Sequence, residues 1–198
     1  MSEQEYENEY KLLCELAEKL KNLGISTYRL GSLIGEIYVA KELEARGLKP
    51  VMGNKRKKRD ADINLNLGDG KRVEVKYAAL HIFKGIKAWG FNFSNGKQIE
   101  KGIEYFVLVK ANENGIPFEA IILDLNDIAD ENLKPKIDER TSEGNKHYDI
   151  HLCESYEDYN KYIEYMSKIE KDWKENPLEK DIHEHPDNYR NRWDKIKK

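Results

Sequence analysis

The residues whose types and spacing could do chemistry lie between Asp60 and Ala78. Two alternating runs, Ile63/Leu65/Leu67 and Val73/Val75/Tyr77, flank Gly68-Asp69-Gly70. Period-two alternation is the strand signal, and a Gly-Asp-Gly break between two such runs signals a hairpin. If the odd-numbered apolar residues face the core, Asp62, Glu74 and Lys76 share the other face, with Asp60, Asn64, Asn66 and Ala78. A turn centred on Asp69 sets Asp62 opposite Lys76 and diagonal to Glu74, with Cβ separations of about 5 Å and about 7–8 Å. Two carboxylates at that reach can share one divalent cation, with a lysine beside it. Glu-x-Lys spacing alone means little in a chain with 37 acidic and 34 basic residues. Its placement on a strand, with an aspartate on the facing strand, is what makes it informative.

The elements that must position these residues follow from the flanking patterns. Residues 3–23 read as an amphipathic helix with Tyr6, Tyr10, Leu13, Leu16, Leu20 and Leu23 on one face and Gly24 as its stop. A second helix is predicted from about Leu33 to Arg46, with Ser32 as N-cap and Gly47 as stop. Its apolar stripe is Leu33, Ile37, Ala40 and Leu43, and Glu36 borders it. A carboxylate at the edge of a buried face needs a partner or a metal. Lys49 to Asn54 reads as a short strand. Lys55-Arg56-Lys57-Lys58-Arg59 follows and runs directly into the segment bearing Asp62. A bare charge run is usually a solvated loop; this position favours phosphate contact, with steep salt dependence.

Beyond the hairpin, Trp89, Phe91 and Phe93 alternate and predict another strand. Lys84 and Lys87 are placed in a Gly-containing loop before it, able to reach a nucleic-acid backbone. A short helix is expected over 96–102, carrying Gln98. Tyr105 to Val109 is continuously apolar, as in a strand covered on both faces, and Ala120 to Leu123 forms the next. Residues 126–147 read as loop, and Tyr148 to Cys153 as a further strand. His147 and His151 are not expected to face alike. Ser155 caps a helix lined by Tyr156, Tyr159, Ile163, Met166, Ile169 and Trp173, with Asn176-Pro177 as its end. The charged tail, with His183, His185 and Trp193, could dock or be disordered.

Asp62, Glu74-Val75-Lys76 and the preceding helix with Glu36 resemble the PD-(D/E)XK nuclease superfamily, the fold of many restriction endonucleases and archaeal Holliday-junction resolvases. The resemblance covers roughly residues 31–125. One departure is that Ala61, not proline, precedes Asp62. It implies an α/β fold with a restriction-endonuclease-like αβββαβ core: a mixed central sheet flanked by helices, here with N- and C-terminal helical extensions. The segments are then an N-terminal helix (1–25), a catalytic core (31–125), a strand and helix extension (126–176) and a polar tail (177–198). It also implies Mg²⁺-dependent phosphodiester hydrolysis, with Mn²⁺ able to substitute. Asp62, Glu74 and the Val75 carbonyl become metal ligands, Glu36 an accessory ligand, and Lys76 the group that handles the attacking water. Branches of the superfamily place a Gln on the helix after the catalytic hairpin, as Gln98 is here.

Composition agrees with a nucleic-acid partner. The net charge of −3 hides an asymmetry: residues 55–101 carry 12 cations and 5 anions, residues 119–198 carry 14 cations and 21 anions. The basic segment holds the Asp62/Glu74/Lys76 cluster, so a polyanion is drawn toward it. No apolar run reaches the roughly 18 residues of a membrane span, and Cys14 and Cys153 lack metal-ligand spacing. These features fit a cytoplasmic DNA-binding protein, expected as a homodimer. The chain exceeds a minimal nuclease core, which favours a type II restriction endonuclease over a Holliday-junction resolvase or repair nuclease. A non-catalytic nucleic-acid-binding module is the rival from another class.

Overall fold

The computed structural model describes residues 2–24, 28–53, 63–65, 71–94, 103–129, 137–138, 147–171 and 173–196. Lys55, Arg56, Lys57, Lys58, Arg59, Asp62, the Gly68-Asp69-Gly70 turn and the 96–102 segment with Gln98 lie outside the described residues.

Helix α1 (Glu3–Asn22) opens on a capping box: Ser2 accepts from the Glu5 backbone N–H, and the Glu5 carboxylate accepts from that of Ser2 at 2.6 Å. Its inward stripe is narrower than the sequence suggests. Tyr6 and Ala17 are buried and Tyr10 and Leu13 pack against the same core, while Leu16 and Leu23 are exposed. Spacing explains this, because Tyr6, Tyr10, Leu13 and Ala17 keep helical register and Leu16 and Leu23 fall off that line.

Helix α2 (Tyr28–Glu44) begins earlier than the pattern predicts. Ser32 is therefore inside the helix rather than its cap, and Leu33 is exposed while Ile34, Ile37, Ala40 and Leu43 are buried. The end is as read: Gly47 adopts φ 74°, and the Leu48 N–H reaches back to Leu43 O at 3.0 Å.

The fold is mixed α/β. Among the described residues nine strands follow in chain order: β1 (Pro50–Met52), β2 (Ile63–Leu65), β3 (Arg72–Ala79), β4 (His81–Phe83), β5 (Ile86–Ser94), β6 (Tyr105–Ala111), β7 (Pro117–Asp124), β8 (Ile137–Asp138) and β9 (His147–Cys153). Five make a mixed sheet in the order β1-β2-β3-β6-β7, in which β3 and β6 are parallel and the other pairs antiparallel. The rest make an antiparallel sheet, β4-β5-β9-β8.

Alternation divides the core. Val73, Val75, Val107 and Val109 face α1 and α2, joined by Trp193 and Ile196 from the C-terminal segment. Ala78, Phe106 and Leu108 face the second sheet, where Trp89, Phe91, Ile150 and Leu152 meet them. The continuously apolar β6 is covered on both faces, as its sequence predicts.

After the short helix α3 (Leu125–Ala129), helix α4 (Tyr156–Ile169) is capped by Ser155. It stops before Trp173. Asn176-Pro177 does not end it but starts α5 (Pro177–Glu184): the Asn176 side chain accepts from the Leu178 and Glu179 N–H groups, and Pro177 fills the first turn, where its missing N–H costs nothing. The tail docks. Leu178, Ile182, Tyr189, Trp193 and Ile196 are buried. Tyr189 O accepts from the Ile122 N–H at 3.0 Å and the Asn191 N–H donates to Ala120 O at 2.7 Å, which covers the free edge of β7. No helix among the described residues is long and apolar enough to cross a membrane.

Candidate active site

Strand β3 carries the site. Arg72 to Ala79 alternates as predicted, so Glu74, Lys76 and Ala78 share one face and Val73, Val75 and Tyr77 the other. Two contacts fix the strand. Parallel pairing with β6 sets Glu74 beside Phe106 and Lys76 beside Leu108. On the other face α2 lies very close to Tyr77: a Cβ built on Gly31 would stand 2.4 Å from Tyr77 Cε1, and one on Gly35 3.0 Å from Tyr77 Cβ. Only glycines allow the helix this near. The Tyr77 hydroxyl donates to Gly115 O at 2.7 Å, anchoring the strand to the β6–β7 turn. Burial holds that phenol's pKa up at about 12, so it stays a donor. The Gly-x-x-x-Gly spacing at 31 and 35 is the sequence signal for this packing.

Glu74 is buried, at 7% exposure, and the Lys76 Nζ donates to its Oε1 at 2.6 Å. Lys76 is partly open to solvent. The pair therefore joins a carboxylate sunk in the sheet to a cation at its surface. Val75, between them, is buried on the opposite face. Glu36 is buried at 4% exposure, deeper than the bordering position predicted for it. It sits on α2 one turn before Ala40, in the helix that covers the Val73/Val75 face.

The hairpin register differs from the predicted one. Ile63 pairs with Val73 and Asn64 with Arg72, two residues away from the pairing that a turn centred on Asp69 gives. A two-residue slip keeps odd with odd and even with even, so the apolar alternation fits either register equally well. The predicted register rested on the turn centre, which lies outside the described residues, as does Asp62. Asp62 is bonded to Ile63, whose partner Val73 precedes Glu74.

Lys84 and Lys87 are not brought to Glu74. Lys84 and Gly85, at φ 51° and 79°, form the two-residue tip of the β4–β5 hairpin, with the primed-turn backbone such hairpins favour. Lys87 is on β5, not in a loop, and pairs with Glu154 at 2.9 Å. That ion pair raises its pKa. Two residues on, the Trp89 indole donates to Ala111 O, and Ala111 is the neighbour of Ala79. Trp89 thus packs at the Ala79 end of β3, about 16 Å along the strand from Glu74 at 3.3 Å per residue.

Among the described residues no three His, Cys, Asp or Glu side chains converge to hold a metal. Mg²⁺ demands less: one or two carboxylates, with waters and substrate oxygens completing the shell. Glu74 offers such an oxygen donor. No protein-family model matches the chain, and a search of curated proteins gives no significant match.

Proposed function

We propose that this chain is a metal-dependent nuclease that hydrolyses phosphodiester bonds in DNA, organised as a type II restriction endonuclease. The observation that carries the reading is the Glu74–Lys76 pair and its place in the sheet. It lies on the third strand of the antiparallel β1-β2-β3 run, beside a strand parallel to it. Helix, three strands, helix, strand is the core order that the resemblance implies; the second helix, expected over 96–102, is outside the described residues.

Asp62 and Glu74 would hold Mg²⁺, with the Val75 carbonyl and, as an accessory, Glu36; Mn²⁺ suits the same oxygen donors. Bound Mg²⁺ supplies Lewis-acid polarisation of a phosphoryl oxygen and a bound water of lowered pKa. The chain's own residues do the rest. Lys76 exchanges its bond to Glu74 for the attacking water or the phosphate, orients the one and stabilises charge growing on the other. Lys55, Arg56, Lys57, Lys58 and Arg59 draw in the DNA backbone by charge. A homodimer would set two such sites on a duplex.

A structural ion pair is the second reading, and the 2.6 Å contact favours it specifically, because a lysine bonded to a buried glutamate has a structural role without any substrate. Asp62→Asn separates the two. The nuclease reading predicts a folded protein, with an unchanged circular dichroism spectrum and melting temperature, that no longer cuts DNA in Mg²⁺. An Asp62→Asn protein that cuts like the parent refutes it.

A further inference from the structure

The second sheet carries two histidines, distant in sequence, that meet over a glycine. Gly90 on β5 pairs with His151 on β9, and β4 brings His81 in from the other side, opposite Ala88. Gly90 is exposed and has no side chain to fill the space above it. The point where a Cβ would stand is 3.6 Å from His151 Nε2 and 3.9 Å from His81 Cε1. Both imidazoles therefore lean over the same notch.

His151 sits beside a buried carboxylate. Its Nδ1 faces the Glu179 carboxylate at 3.7 Å, and the same carboxylate oxygen accepts the His151 backbone N–H at 2.6 Å. Glu179 is 2% exposed and set on α5, so this is a buried, fixed partner. The Tyr162 ring lies against the imidazole, centroids 5.4 Å apart. The Glu179 carboxylate on the Nδ1 side adds a fixed negative charge beside the ring, while Nε2 lies on the side of the notch. His81 is exposed, so its ring can swing to close on a shared ion at the roughly 2.0–2.1 Å of a zinc–imidazole bond.

We propose that His81 and His151 form a two-histidine site for a transition-metal cation of the Zn²⁺ class above Gly90, with the Glu179 carboxylate beside His151 and water completing the shell. Two imidazoles suit Zn²⁺ and are poor ligands for Mg²⁺. The site is on the second sheet and does not depend on the nuclease reading.

The test is calorimetric titration of the full chain with Zn²⁺, with and without excess Mg²⁺. One Zn²⁺ should bind per chain, undisturbed by Mg²⁺. His81→Ala, at an exposed position, should keep the fold and weaken Zn²⁺ binding at least about tenfold, the order seen when a metal site loses a supporting group. Glu74→Ala should bind Zn²⁺ like the parent, which assigns the heat to this site. No Zn²⁺ uptake by the parent, or His81→Ala binding as tightly as the parent, overturns the proposal.

Discussion

Lys76 Nζ and Glu74 Oε1 stand 2.6 Å apart on one face of a single strand, the carboxylate buried and the amine reaching solvent. In the proposed nuclease the pair joins stability to function. Lys76→Met removes the cation and the charge-assisted hydrogen bond it gives Glu74, which should cost about 1–3 kcal/mol. The same change should lower DNA cleavage by about a hundredfold or more, the scale of a lost general acid–base group. Urea denaturation and a cleavage time course read the two effects separately. Stability loss with full cleavage would reduce Lys76 to a structural partner.

The approach of α2 to β3 sets where that strand lies. Gly31→Ala puts a methyl 2.4 Å from Tyr77 Cε1, so helix, ring or both must move. We expect a loss of about 1–3 kcal/mol, the usual cost of overpacking. Tyr77→Leu in the same chain should recover part of it, giving a coupling energy of the sign that direct contact requires. Additive losses in denaturant melts would show that the two residues do not press on each other.

At the other end of the sheet Lys110 is 4% exposed and bonded to Glu119 at 2.6 Å, with Arg190 on the other Glu119 oxygen at 3.4 Å. Its ammonium also sits 4.0 Å from the Trp89 ring centroid. Burial lowers its pKa, with Glu119 opposing that shift. The two partners should respond unequally. Glu119→Gln strands a buried cation and should cost about 3–5 kcal/mol, whereas Lys110→Met keeps the volume against Trp89 and should cost under about 1.5 kcal/mol. Equal losses in paired chemical denaturation curves would contradict this.

His183 makes stability depend on pH. Its Nδ1 is 2.6 Å from Glu179 O and its Nε2 accepts the Cys153 N–H at 2.9 Å, so the ring is held neutral. Burial among α5, β9 and the stacked Tyr159 depresses its pKa. The unfolded chain takes up a proton near the ordinary value of about 6.5 while the folded chain resists, so stability is full above that pH and falls as pH drops below it. His81, also depressed, adds in the same direction. Unfolding free energy should be smaller at about pH 5.5 than at about pH 7.5, and His183→Gln should flatten the difference. An unchanged slope in the variant would place the titration elsewhere.

What the sequence made legible was parity. The alternation of Val73, Val75 and Tyr77 correctly put Glu74 and Lys76 together, and the apolar run of β6 announced a strand covered on both sides. Register was not legible, because a slip of two residues leaves every side chain on its own face. The start of α2 was hidden because Ser32 looks like a cap yet sits within the helix. Asn176-Pro177 reads equally well as a helix end and a helix start. The His81–His151 notch had no local motif, since pairing across β5 brings together residues far apart in the chain. His147 and His151 were expected not to face alike, but both lie on β9, where residues four apart hold the same strand parity.

The most direct test of the central claim is cleavage of phage and plasmid DNA by the purified chain in Mg²⁺, in EDTA and as Glu74→Ala. The account predicts discrete fragments in Mg²⁺, none in EDTA and none from the folded Glu74→Ala protein. Cleavage that persists in EDTA or without Glu74, or intact DNA in both Mg²⁺ and Mn²⁺, contradicts it.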